Sequence, residues 1–194
     1  MASVALKVVI ATDAWKPQIN GVVTTLSHVE DYLRAQGCEV RVIHPGDFHT
    51  FALPNYKEIC VAWNVWKFAE IFESFKPDCV HIATEGPIGL AARRYLTKRG
   101  LPFTTSLHTK FPEYVNQRIG MPVSWGYAFL RWFHEPSKAT LVTTESMRDE
   151  LTARGLKDLV VWTRGVDTQL FCPDQGDKSR EGSSQPVMVY VGRV

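Results

Sequence analysis

No two of the four cysteines, Cys38, Cys60, Cys79 and Cys172, stand in a C-x-x-C pair. Zinc and dithiol chemistry therefore have no support. Cys38 and Cys79, at expected strand starts, read as buried free thiols. No uninterrupted apolar run approaches the roughly 20 residues that a bilayer-crossing helix needs. Met1 to Lys7 run straight into an apolar strand without the pattern of a signal peptide, so the expectation is a cytoplasmic protein with reduced thiols. The G-x-G-x-x-G fingerprint is absent, as is an acidic residue placed for a ribose, which argues against a dehydrogenase or a sugar epimerase. The net charge of +2 is too small to argue for nucleic acid. There is no internal repeat.

What is present is ordinary for a globular chain of 194 residues: 45% hydrophobic and 22% charged. Arg93, Arg94, Lys98 and Arg99 recur on one short stretch. They read as a solvated helix face, with an anionic ligand or a membrane surface as the lesser alternative.

Leu6 to Thr12 is a near-continuous apolar run, as in parallel strands buried on both faces. Val22 to Gln36 follows with Val22, Leu26, Val29 and Leu33 near helical spacing, stopped by Gly37. Further strands are expected at Val40–Ile43, Glu58–Ala62, Asp78–Ala83, Pro102–Ser106, Thr140–Thr143 and Leu159–Trp162. Helices are expected at Val65–Phe75, Ile88–Lys98, about Phe111 to His134, and Ser146–Arg154. Alternation of this kind means a parallel sheet with right-handed crossover helices, hence an α/β, Rossmann-like doubly wound domain of six or seven strands over residues 1–172. Residues 173–185 are polar and read as a linker. Residues 186–194 open a new apolar strand, which lacks partners of its own. The expectation is that the natural protein continues.

In open parallel sheets, ligands bind beyond the carboxyl ends of the strands. Asn20-Gly21-Val22 stands at a helix start, where backbone N–H groups favour an anion such as phosphate; alone, it also reads as a plain loop glycine. Glu85-Gly86-Pro87-Ile88-Gly89 follows the expected Asp78–Ala83 strand. Gly86 allows close backbone approach, and Glu85 either orients a sugar hydroxyl or interacts with the helix N-terminus. His108, in Ser106-Leu107-His108-Thr109-Lys110-Phe111-Pro112-Glu113-Tyr114, either hydrogen-bonds a sugar or serves the structure. Lys110 either meets an anionic group or is a solvated surface residue.

Taken in order, these loops, with Arg164-Gly165-Val166-Asp167 and Tyr190-Val191-Gly192-Arg193-Val194, resemble the N-terminal domain of family-four retaining glycosyltransferases. The nearest pattern is a bacterial α-mannosyltransferase-like branch that includes lipid-glycosylating enzymes. The resemblance implies the acceptor-side half of a GT-B fold, with a second, nucleotide-sugar-binding domain beyond residue 186. It implies that His108 touches the transferred sugar as the catalytic residue. It implies that Gly21 lies near the donor phosphates and that Arg193 reaches the diphosphate. Asn20, Gly21, Val22, Glu85, Gly86, Lys110, Arg164 and Arg193 are the substrate-binding candidates. The donor would be a nucleotide-diphosphate sugar, with mannose favoured, and the acceptor a lipid or glycan. No metal or other cofactor is expected, since no Asp-x-Asp pair occurs. The family's later lysine and paired glutamates lie beyond Val194, so this stretch alone is expected to be inactive; an acceptor-binding module without turnover is the alternative.

Ser124 to His134 is rich in aromatics. Trp125, Ala128, Phe129 and Trp132 share one helical face, with Arg131 and His134 away from it. The expectation is that this face packs into the core. The other reading is peripheral contact with the inner face of a membrane.

Overall fold

A computed structural model describes residues 5–53, 56–108, 112–113, 116–117, 120–163 and 165–172, with backbone alone at 53 and 56–59. Residues 5–163 form one unit, and residues 165–172 belong to a second.

The apolar run after Leu6 becomes β1 (Lys7–Ala11), buried along almost its whole length. β1 pairs in parallel with β2 (Glu39–Ile43) on one side and with β5 (Cys79–Ile82) on the other. β6 (Thr104–Leu107), β7 (Thr140–Val142) and β8 (Leu159–Val161) extend the sheet to six parallel strands in the order β2-β1-β5-β6-β7-β8. The Rossmann-like expectation holds. β3 (Thr50–Leu53) and β4 (Tyr56–Ala62) form a separate antiparallel hairpin. Its first strand lies outside the alternating pattern that sequence reading follows.

The helices are α1 (Gly21–Ala35), α2 (Phe68–Phe75), α3 (Pro87–Arg99), α4 (Val123–His134) and α5 (Glu145–Ala153). α1 forms where its apolar stripe predicts. Its Leu26, with Val22, Val29 and Leu33, packs on Val8, Ile10, Val40 and Val42. Fully burying a side chain such as Leu26 contributes roughly 1.5–3 kcal/mol. Gly37, at φ 83°, takes the left-handed conformation that ends the helix. On the opposite face, Val9, Ala11, Val80 and Ile82 meet Phe68 and Phe72 of α2, Ile88, Ala92 and Leu96 of α3, and Phe133 of α4. Leu107 and Val142 continue that core against Leu130 of α4 and Leu151 of α5.

Several expectations change. The helix expected from Val65 begins with a separate 3-10 turn, Val65–Lys67, before α2. The long helix expected over 111–134 is interrupted. Gly120 has φ 70°, and Pro122, which cannot continue a hydrogen-bonded helix upstream, is the N-cap of α4. Cys79, the first residue of β5, is exposed, and Cys38, which packs against the core cluster shared by β1, β2 and α1, is half-buried. The basic stretch on α3 is more than a solvated face. The Arg93 guanidinium stacks over Trp132, 3.8 Å from its centroid, and donates to the Phe133 carbonyl. Arg99 pairs with Glu73 of α2 at 3.0 Å.

The aromatic helix also turns over relative to expectation. α4 buries Gly126, Tyr127, Leu130, Phe133 and His134. Trp125 and Trp132 remain 68% and 51% exposed, and Phe129 is only partly buried. The core chose the stripe carrying Leu130 and Phe133, and Gly126 lets the helix approach Pro112, whose Cβ would stand 2.6 Å from a Cβ at that position.

Candidate functional site at the carboxyl ends of β1, β5 and β6

The sheet's chain order reverses between β1 and β5, so the crevice beyond their carboxyl ends is the natural ligand position. A side chain of the protein itself fills part of it. Asp13, just after β1, accepts hydrogen bonds from the N–H groups of Ile88 (2.8 Å) and Gly89 (3.2 Å) in the first turn of α3. The Thr84 hydroxyl donates to the same carboxylate at 2.9 Å, and Thr84 Oγ1 accepts from the Asp13 N–H at 2.7 Å. Burial pushes the Asp13 carboxyl above the ordinary carboxylate range, against these hydrogen bonds, which favour its charged form. Gly86 has its place here for a steric reason: a Cβ on it would lie 2.5 Å from the Asp13 carboxyl carbon. Asp13 thus caps α3 from a distant loop and locks the loops after β1 and β5 together. The sequence analysis assigns Asp13 no role. An aspartate closing an apolar parallel strand was the available signal.

Asn20 is the N-cap of α1, where its side-chain oxygen accepts from Val22 N and Val23 N, each at 3.0 Å. Those two N–H groups are engaged by the protein itself, and the exposed Gly21 is the first residue of the helix.

Glu85 follows β5 beside the Asp13 cap. The helix N-terminus that it was expected to approach is taken by Asp13. Its Oε1 lies instead 3.3 Å from Nε2 of His134. His134 is buried at the end of α4, and its Nδ1 is 2.9 Å from Thr105 Oγ1, which also meets Thr140 Oγ1 at 2.9 Å.

His108 sits just past β6, half-buried, with Nε2 2.9 Å from Ser106 Oγ. Ser106 in turn meets His81 Nε2 at 3.1 Å and donates to the Ala83 carbonyl at 3.2 Å. His81 Nδ1 is 2.8 Å from Thr104 Oγ1. Desolvation, assisted by the nearby His108, pulls the His81 imidazole down to about 4, so it is neutral at physiological pH. Downstream, Glu113 accepts a 2.6 Å hydrogen bond from the Tyr127 hydroxyl of α4. Arg154 covers the Tyr127 ring at 4.0 Å, and burial with the Glu113 contact raises the Tyr127 hydroxyl well above its usual value.

The structure therefore brings Glu85, Gly86 and His108 to the ends of adjacent strands, with the Asn20–Val22 cap after the neighbouring β1. Lys110, Arg164 and Arg193 lie outside the described residues. Among the described residues, no cluster of histidine, cysteine, aspartate or glutamate is arranged to hold a metal, and no helix is long and apolar enough to cross a membrane.

A family model described as Glycosyltransferase Family 4 matches residues 19–170. A GDP-mannose-dependent alpha-mannosyltransferase of Mycobacterium tuberculosis (strain CDC 1551 / Oshkosh) is 25% identical over 97% of this chain and 56% of its own length. Its Corynebacterium glutamicum counterpart by name is 23% identical over 97% of this chain and 51% of its own length. An alpha-monoglucosyldiacylglycerol synthase of Acholeplasma laidlawii is 29% identical over 57% of this chain and 32% of its own length. The chain spans about half the length of the mannosyltransferases it matches.

Proposed function

The chain belongs to glycosyltransferase family 4, and from that premise we propose that the whole protein transfers mannose from GDP-mannose to a lipid or glycan acceptor, with retention of anomeric configuration. The observation that carries this reading is the match to two GDP-mannose-dependent mannosyltransferases along 97% of the chain. In this reading the described unit is the acceptor-side domain. The opposing domain, which would hold most of the nucleotide, begins after the 173–185 linker.

The chemistry requires two things. The sugar must be held while its ring passes through an oxocarbenium-like state, and the leaving diphosphate must be stabilised as it gains charge. We assign the first task to His108, hydrogen-bonded to a hydroxyl of the transferred sugar, with Glu85 orienting another hydroxyl. The second falls to Arg193, Arg164 and Lys110, with close backbone approach at Gly21 and Gly86. With such cations in place no metal is required. Support for a lipid acceptor comes from the exposed Trp125 and Trp132, with Arg131 exposed on the same helix. The Acholeplasma relative is, by name, a glucosyldiacylglycerol synthase.

The test is transfer by the full-length protein from labelled GDP-mannose, with UDP-glucose as competitor. His108→Ala should lower turnover about 10²-fold, the scale of a lost positioning interaction in the transition state. Near-normal turnover would return His108 to a structural role. The 194-residue chain alone should bind GDP-mannose weakly and transfer nothing; tight donor binding by calorimetry would contradict the division of labour.

A further inference from the structure

Glu113 stands five residues after His108, yet its carboxylate is engaged by two later parts of the chain. Its Oε1 accepts the 2.6 Å hydrogen bond from the hydroxyl of Tyr127 on α4 and lies 3.5 Å from Nη2 of Arg154, at the end of α5. Tyr127 is 3% exposed, and the Arg154 guanidinium covers its ring at 4.0 Å. Arg154 is itself tied down: it pairs with Glu150 at 3.3 Å, and its carbonyl accepts from Arg131 Nη1 at 3.0 Å. One residue before Glu113, Pro112 is seated against Gly126 of α4, so closely that a Cβ there would meet the Pro112 Cβ at 2.6 Å. The chain before His108 is fixed as well, by Leu107 in the core and by Ser106, whose Oγ is 2.9 Å from His108 Nε2. His108 therefore lies between two anchors, four residues short of the second.

Packing alone does not call for a glutamate at the second anchor. Its Oε2 is buried and, among the described residues, has no hydrogen-bond partner, which costs stability. An apolar side chain in its place could hold the segment to α4 as firmly. A carboxylate that meets a hydroxyl and a guanidinium adds direction: it fixes where along α4 the segment is attached. We propose that Glu113 is a positioning residue for His108, fixing the chain after His108 against α4 through Tyr127 and Arg154, and with it the placement of the His108 ring. The consequence for turnover rests on the reading of His108 as the sugar-contacting residue. A ring that wanders from its place meets the sugar less often in the geometry that the transition state needs.

The test is ¹H–¹³C spectroscopy of the six histidine rings in the 194-residue chain carrying ¹³C-labelled histidine. Two variants are compared with the wild type: Glu113→Ala, and Tyr127→Phe, which keeps the buried ring and removes only the hydroxyl. In both, the His108 signal should shift and broaden while those of His28 and His44 stay in place. An unmoved His108 signal in either folded variant would overturn the proposal. Movement of all three signals would also overturn it, since the change would then report general loosening. If Glu113→Ala does not fold, Tyr127→Phe decides alone. Turnover is read in the full-length protein with labelled GDP-mannose. Glu113→Ala should lower kcat roughly tenfold with KM for GDP-mannose little changed, and should lower it no further once His108 is already alanine. Equal losses in both backgrounds would overturn the link to His108. Normal turnover by His108→Ala alone would instead sink the sugar-contact role, and the spectra would still decide the clamp.

Discussion

β6 presents polar side chains to both faces of the sheet, and the two faces use them differently. Towards α3 and α4, Thr105 is buried with Thr140, Ser137 and His134, and the chain of contacts ends on Glu85. Towards the α1 face, Thr104 and Ser106 meet His81, and the chain of contacts reaches His108. The first network is sealed under α4, where His134 is 4% exposed. The second lies under less cover: His81 is half-buried beside Trp162, and Val160 on neighbouring β8 is 48% exposed. One strand thus steadies two candidate site residues from opposite sides. Breaking the sealed network should mainly cost stability, and breaking the open one should mainly alter the state of a histidine.

The sealed side offers the largest effect. His134→Ala removes a buried ring packed edge-on against Phe133 and strips Thr105 of a hydrogen-bond partner. Loss of buried packing together with a polar network should destabilise the chain by about 4 kcal/mol. Urea unfolding measures it. A loss below about 1 kcal/mol would mean that the two networks do not differ in the way their burial implies.

The open side should reveal itself through pH. The folded pKa of His81, about 4, lies below the ordinary histidine value of 6.5, so the unfolded chain takes up the proton first as pH falls. The stability tied to neutral His81 is therefore complete above pH 6.5 and is lost as pH drops towards 4, amounting to at most about 3 kcal/mol. Unfolding of the wild type and His81→Gln across that window isolates it: the variant should show a correspondingly shallower slope. Equal slopes would place the ring in a wetter environment than its contacts indicate.

The comparison also explains what was legible in the sequence. The sheet strands and α1 were, because each carries its own periodic signal in consecutive residues. β3 was not, since Thr50–Leu53 is only four residues long and lacks a clear alternation, and its only partner among the described residues is β4. His108 and Glu85 stood out because polar residues at strand ends sit where ligands bind. Their supports did not. Ser106 lies two residues from His108, but His81 lies 27 positions from His108, and His134 lies 49 from Glu85. Only the strand register that sets His81 beside Thr104 brings the first set together. The exposed face of α4 was misread for a related reason. Two aromatic stripes competed for the core, and spacing alone cannot say which one Gly126 lets close against Pro112.

Asp13 is a third, smaller case, a polar tie between loops with no histidine. Asp13→Asn keeps one acceptor oxygen but replaces the other with an amide donor, so that either the Ile88 N–H, or the Gly89 N–H together with the Thr84 hydroxyl, loses its acceptor. One unsatisfied, partly enclosed donor should cost about 2 kcal/mol. Amide hydrogen exchange at Ile88 and Gly89 should also quicken, as the first turn of α3 loses its cap. Unchanged protection there would show that Pro87 and the core contact of Ile88 hold the turn without Asp13.

The smallest effect on stability is expected at Trp125, and it carries the membrane question. Its side chain is 68% exposed, so Trp125→Ser should change stability by less than about 0.5 kcal/mol, as surface substitutions away from buried networks do. Trp132→Ser should cost somewhat more, because Arg93 stacks on that ring. If these tryptophans serve the fold, both substitutions should register in unfolding and neither in lipid binding. If they serve a lipid acceptor, the reverse holds, because Trp at a bilayer interface gains from burying its ring among headgroups while keeping its N–H wet. Co-sedimentation with anionic vesicles separates the two. Binding by the wild-type chain that is lost in the double variant, with the unfolding midpoint nearly unchanged, supports a lipid acceptor. Absence of binding by the wild-type chain even at low salt, where attraction between basic side chains and anionic headgroups is least screened, would favour a soluble glycan acceptor.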